Sequence, residues 1–212
     1  MIATTKLVSI GFLSMGIFIL MQVILPIASF QIWWFAQQYS NQTLVSPKKT
    51  SGGVLGVSVQ STDNFPAFVS NRTREIKPNY SEFQLSVPRL KIADSTVYVD
   101  SNDLLKGLIQ LPGSALPGEK GNVFISGHSA LPLLSFKNAI FARLSDLKKG
   151  DEILVEAANA KFTYKVVDIK VVDPADLSVT SPPEELGRYI SLMTCVPPGL
   201  NLKRLIVLGK MI

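Results

Sequence analysis

The chain holds one cysteine, Cys195, and one histidine, His128. A lone cysteine rules out an intrachain disulfide framework, and these two residues cannot build a Cys/His metal cage. What they can support together is acyl transfer through a thioester, in which a thiolate attacks and an imidazole protonates the leaving amine. Cys195 closes the run Ser191-Leu192-Met193-Thr194, which reads as a buried strand, and Val196-Pro197-Pro198-Gly199-Leu200-Asn201 after it reads as a loop. A strand expected over 202–208 then returns. If that loop closes an antiparallel hairpin, Cys195 pairs with Leu202 and Met193 with Arg204, so alternation sets Cys195 and Arg204 on one face. Arginine there would stabilise a tetrahedral oxyanion or hold a substrate carbonyl. His128 follows the strand-like Asn122-Val123-Phe124-Ile125-Ser126 and a Gly127 that permits a sharp exit.

With ordinary pKa values near 6.5 for histidine and 8.5 for cysteine, roughly one molecule in a hundred near pH 7.5 carries thiolate and imidazolium together. A neighbouring Arg204 is expected to lower the thiol's pKa and raise that fraction. Taken singly, each residue is more often structural: a strand-end cysteine is usually a small buried hydrophobe, and a late-strand arginine a solvated charge. Their surroundings decide.

The elements that must position these groups begin after a polar segment. From residue 82, short β-rich runs at 83–87, 95–99, 122–126, 152–156, 161–172, 189–194 and 202–208 alternate with Pro-Gly, Lys-Gly-Asp and Pro-Pro-Gly turn signals. That pattern predicts an all-β barrel or sandwich over 82–212, with one or two short helices, the best placed at 138–147. Residues 37–81 are rich in Ser, Asn, Gln, Thr, Gly and Pro and read as a polar stalk, with short ordered pieces at 54–59 and 65–69. As a flexible coil it would span about 35–40 Å. Its apolar patch at 65–69 raises the expectation of a segment folding back over the cleft.

Residues 1–36 read as a membrane anchor. No charged residue occurs between Leu7 and Ala36, and about 20 apolar residues suffice to cross the hydrocarbon core. Trp33, Trp34 and Phe35 mark the far end, where aromatic rings favour the headgroup layer. An uncharged run this long exceeds the h-region of a cleaved signal peptide. Lys6 beside the span leans towards an N-terminus inside, with the rest of the chain outside. The chain ends on an apolar strand, so no second span is expected there. The net charge of +5 comes without an Arg-rich run or interleaved aromatics, which argues against nucleic acid as a partner.

The motif context is specific. Leu192-Met193-Thr194-Cys195, then Pro197, Asn201 and Arg204-Leu205-Ile206-Val207, resembles the active-site signature of sortases, with Ser191 where that family usually has threonine. Leu116-Pro117-Gly118-Glu119-Lys120-Gly121 through Gly127-His128-Ser129 resembles the segment leading to the family's catalytic histidine. The resemblance runs over 83–210. It implies a closed eight-stranded β-barrel behind a transmembrane helix, and a cysteine transpeptidase that acts on a sorting motif of exported proteins. Cys195 would attack the motif's amide, His128 would protonate the leaving amine, and Arg204 would hold the carbonyl or the oxyanion. The acceptor would be an amine of a cell-wall precursor or a pilin-like protein. No Asp-Pro-aromatic lid motif is present, which favours an anchoring enzyme over a pilus-building one. No cofactor is implied. Some members bind calcium, but Glu156, Asp168, Asp173, Asp176, Glu184 and Glu185 lack an oxygen-ligand spacing and read as surface charge.

Two rival functions use the same residues differently. A cysteine hydrolase would resolve the acyl-enzyme with water, and a tethered non-enzymatic β-barrel would bind or adhere without needing Cys195.

Overall fold

The computed structural model describes residues 12–22, 24–25, 28–29, 31–32, 56–62, 65–74, 76–129, 139–198 and 202–212. The chain divides into two compact units, Met1–Thr50 and Ser51–Ile212. In the first, the described residues are helical and their apolar side chains, Phe12, Leu13 and Phe18 among them, are exposed. No helix among the described residues is long and apolar enough to cross a membrane. Much of the anchor expected over 1–36 lies outside them.

The second unit is a β-barrel with an appended hairpin. Its strands are β1 (Val57–Thr62), β2 (Phe65–Ser70), β3 (Glu82–Val87), β4 (Ile92–Tyr98), β5 (Leu108–Gln110), β6 (Gly121–Ser126), β7 (Glu152–Ala157), β8 (Ala160–Val172), β9 (Arg188–Val196) and β10 (Lys203–Met211). β1 and β2 pair only with each other, and the other eight close in the order β10-β8-β7-β3-β4-β5-β6-β9. Closure leaves the barrel itself without a free sheet edge. The pairs β4–β5 and β6–β9 are parallel and the rest antiparallel. The all-β expectation and the eight-stranded closure both hold.

Burial along the strands separates inside from outside. In β3 and β7 one face is buried and the other is half-buried or exposed, and Phe83, Leu85, Val87, Ile153 and Val155 fill the interior. A Cβ on Gly209 would meet Ile190, Tyr164 and Ile153, so Gly209 faces inward with Leu205 and Val207 of its own strand. Arg204 and Ile206 therefore face outward. Yet β6, β9 and β10 are buried on both faces over most of their length. On this side of the barrel the outer surface is covered as well.

Part of the cover comes from the polar segment. Val57 and Phe68 join Leu111, Phe124, Val179, Met193 and Ile206 in one apolar cluster. The compact unit thus begins ahead of residue 82, because the two ordered pieces expected in the stalk are strands of one hairpin packed on the barrel. The helix expected at 138–147 is not an α-helix where described. Residues 140–143 form turns and Leu144–Asp146 a single 3-10 turn, one of four such pieces among the described residues, with Pro88–Leu90, Leu104–Lys106 and Leu177–Thr180. Arg143 bonding Asp146 and the buried Leu144 and Leu147 fit a short tight turn better than a continuing apolar stripe.

Candidate active site

Cys195 sits one residue from the end of β9, and Arg204 one residue into β10. They are direct cross-strand partners, with Met193 opposite Ile206 and Val196 opposite Lys203. The register expected from sequence, Cys195 opposite Leu202, is off by two. β9 runs one residue further, through Val196, so the six-residue connection is 197–202 rather than 196–201. A slip of two preserves the face, because side chains alternate with period two, and Cys195 and Arg204 do share the outer side. Residues 199–201 of the connection lie outside the described ones.

His128 arrives from β6, the parallel neighbour of β9 on its other flank, where Ser126 is level with Met193. Past the strand end, three hydrogen bonds keep the two chains together. Gly127 N–H donates to Met193 O at 3.1 Å, Thr194 Oγ1 donates to Gly127 O at 2.8 Å, and Ser129 Oγ donates to Cys195 O at 2.5 Å. His128 is thus bracketed by two residues that are each fastened to the cysteine's strand, while its own carbonyl accepts from Phe141 N–H at 3.2 Å. Gly127 is not needed for a left-handed exit, since its φ is not among the positive ones. It is needed for space. A Cβ there would lie 2.5 Å from Leu108 Cδ2 and 2.7 Å from Phe141 Cδ2. All three residues singled out from sequence are thereby brought to one end of one barrel face.

Ser129 and Thr194 enter the site without having been singled out for it. In the sequence they stood inside the two sortase-like motifs, beside His128 and Cys195, with no role of their own.

Burial governs the electrostatics. Arg204 has 0% of its surface exposed, and one terminal nitrogen, Nη1, donates to Lys203 O at 3.0 Å. Cys195 is half-buried. Desolvation pushes its thiol pKa up, and the Arg204 guanidinium opposes this without overcoming it. Desolvation likewise pushes the His128 imidazole below its ordinary value. Both shifts favour the neutral forms. Arg204 lowers the thiol's pKa, the direction expected from sequence, but removing the charge from water outweighs this one neighbouring cation.

The acidic residues considered for calcium are dispersed. Asp168 pairs with Lys149 at 3.2 Å, Glu156 with Lys161 at 3.5 Å, Glu184 with Lys210 at 3.3 Å and Asp173 with Lys203. Asp176 accepts from Ser178 N–H at the start of a 3-10 turn. Among the described residues no group of three His, Cys, Asp or Glu could hold a metal ion.

A buried cation, a thiol and an imidazole on adjoining strand ends can form, stabilise and resolve an acyl-thioester. Comparison with known proteins agrees with this chemistry. Residues 85–212 match the sortase domain family model. Sortase D of Bacillus subtilis (strain 168) is 33% identical over 133 residues, covering 59% of this chain and 61% of that relative. Sortase SrtE1 of Streptomyces coelicolor is 36% identical over 107 residues, covering 47% of this chain and 29% of the relative. The chain therefore spans about three fifths or less of the length of these curated relatives. Among solved structures, a Clostridium perfringens sortase D5 transpeptidase superposes with TM-score 0.55 at 26% identity, over 65% of this chain and 82% of its own. A C. perfringens sortase C solved with the C-terminal cell wall sorting motif gives TM-score 0.54 at 29% identity, over 62% of this chain and 69% of its own. With its barrel covered by the family model from Leu85 to the last residue, the chain belongs to the sortase family.

Proposed function

We propose that the protein is a cysteine transpeptidase that cleaves a sorting motif in exported proteins and transfers the acyl part to an amine. The observation that carries this reading is the direct opposition of Cys195 and Arg204 on the outer face, with His128 fastened alongside, in a chain of this family. The Cys195 proton passes to the His128 imidazole, and the resulting thiolate attacks the scissile carbonyl and forms a tetrahedral oxyanion held by the Arg204 guanidinium. Collapse breaks the C–N bond, and the His128 imidazolium gives its proton to the departing amine. The thioester then meets an incoming amine, whose proton passes to His128 as the new amide forms and the thiolate leaves. Atoms and charge balance over the cycle, and no cofactor enters.

A sorting-motif donor is supported by the C. perfringens sortase C solved with such a motif. A cell-wall precursor or a pilin-like protein would supply the acceptor amine. The uncharged stretch between Leu7 and Ala36 supports residues 1–36 as a single-pass anchor with the N-terminus cytoplasmic. The catalytic barrel, 82–212, with the hairpin of residues 57–70 packed on it, then lies on the extracytoplasmic side.

The test is to incubate the full chain in detergent with a pool of Leu-Pro-x-Thr-Gly-type peptides and a glycine peptide, following Cys195 by mass spectrometry. A thioester adduct on Cys195 together with a ligated product is expected. An adduct that only hydrolyses, whatever amine is supplied, would make the protein a hydrolase. Activity that survives Cys195→Ala would end the thioester mechanism altogether.

A further inference from the structure

Asn122 carries an unspent acceptor. The residue is 3% exposed, and its amide nitrogen Nδ2 donates to Val179 O and Thr180 O, each at 3.3 Å. Those two carbonyls fix which end of the amide is nitrogen. The other end, Oδ1, is buried and has no hydrogen-bond partner. A buried acceptor without a donor is costly, and it is accounted for when something else supplies the donor.

Asn122 lines a recess of about 440 Å³, walled also by residues 113–115, 119–121 and 180–182. It is level with Tyr189 of β9, six residues before Cys195, so it stands about 20 Å from Cys195 along the strands. By alternation it shares the outer face with Phe124. A four-residue motif with its scissile carbonyl at Cys195 spans about 13 Å when extended. The recess therefore lies beyond the reach of such a motif.

Its charge is positive. Arg72, Arg74 and Lys120 line it against one carboxylate, Glu119. Arg74 is engaged by Asp100 at 2.9 Å, by Glu119 at 3.7 Å and by Ser114 O. Arg72 and Lys120 have no carboxylate partner among the described residues. The loop under Arg72 is shaped to admit it. Gly113 holds φ +73°, and a Cβ there would lie 2.4 Å from Arg72 Cβ, so glycine is what lets the arginine cross. Two unpaired cations call for an anion, and Asn122 Oδ1 calls for an N–H or O–H. Glu119 would repel a bare polyanion such as phosphate. Among the described residues no aromatic side chain lines the recess to stack a sugar ring. A chain of Asp or Glu residues supplies carboxylates and backbone N–H groups together.

We propose that this recess is an exosite for an acidic peptide segment, with side-chain carboxylates on Arg72 and Lys120 and a backbone N–H donating to Asn122 Oδ1. The segment belongs to the exported donor protein, outside its sorting motif. That source rests on the transpeptidase reading, and the recess does not.

The experiment follows the fluorescence anisotropy of a labelled peptide of alternating Asp and Ser, mixed with the full chain in detergent at low salt. Arg72→Gln and Lys120→Gln, both at exposed positions, together weaken binding about tenfold. Lys91→Gln, at an exposed lysine outside the recess, leaves it unchanged. No binding, or an equal loss in Lys91→Gln, would reduce the effect to general attraction and overturn the exosite. Inorganic phosphate that displaces the peptide as well as unlabelled peptide does would make the recess a plain anion site and overturn it too. The source is read separately, with acidic residues placed about three positions ahead of a Leu-Pro-x-Thr-Gly-type donor. This extension lowers the KM of ligation about tenfold with kcat unchanged, and the double variant loses the gain while keeping its rate on the plain donor. A KM indifferent to the extension would overturn the donor protein as the source. Recess-dependent binding with no ligation of any donor upholds the exosite and counts against the transpeptidase reading instead.

Discussion

Cys195 and Arg204 oppose each other directly across β9 and β10, with the thiol half-buried and the guanidinium buried completely. A cation without solvent access is expensive to desolvate, and it is worth keeping where negative charge develops beside it. Arg204→Lys retains the charge but loses the planar fork of donors. The expected outcome is a fall in kcat of about 10²–10³-fold with a smaller change in KM. Steady-state ligation rates check it. A variant that loses only substrate affinity would move Arg204 from oxyanion stabilisation to ground-state binding.

The direction of the Cys195 and His128 shifts sets a second expectation. Burial raises the thiol and lowers the imidazole, so thiolate becomes abundant only above the ordinary thiol range and imidazolium only below 6.5. The pH profile of kcat/KM is then a broad bell. Its acid limb lies below pH 6.5 and its alkaline limb above the usual thiol range, with a small active fraction between. Iodoacetamide alkylation of Cys195 follows the alkaline limb, and Arg204→Met moves that limb higher, because the guanidinium is what opposes the burial effect. An alkylation midpoint near neutrality would show a thiolate stabilised by something other than these groups.

How far the sequence disclosed this site depended on the range of the signals. Alternation and turn residues gave seven of the eight barrel strands. They missed Leu108–Gln110, whose three residues pair with only two positions on each neighbour, too short a run to show a period. The shared face of Cys195 and Arg204 was legible because it needs only parity. The register was not, because one extra residue of pairing at Val196 shifts it by two. The raised thiol pKa was hidden for a different reason: it comes from the burial of Cys195 in the folded chain, which alternation and turn residues do not report.

Thr194 tests whether the strand-end bonds hold the site together. Its hydroxyl, 1% exposed, donates to Gly127 O at 2.8 Å, and Thr194→Val keeps the shape while leaving that carbonyl without its donor. The expected cost is about 1–3 kcal/mol in urea unfolding, and kcat falls while KM holds. Thr194→Ser restores both. If Thr194→Val were as active as the original at full occupancy, the bond would be structural alone.

Gly127 gives the sharpest steric case. A methyl group there meets Leu108 Cδ2 at 2.5 Å and Phe141 Cδ2 at 2.7 Å, and both side chains are fully buried, so neither can swing into solvent. Gly127→Ala should therefore destabilise the barrel by about 1–3 kcal/mol, the usual cost of overpacking a core. Because Gly127 N–H and O both bond to β9, at Met193 O and Thr194 Oγ1, relief of the overlap also moves His128 away from Cys195. Stability and kcat should fall together, and Phe141→Leu in the same chain should recover part of each by vacating space beside the new methyl. Recovery of stability without recovery of kcat would mean that His128 is placed by contacts other than the Gly127 backbone.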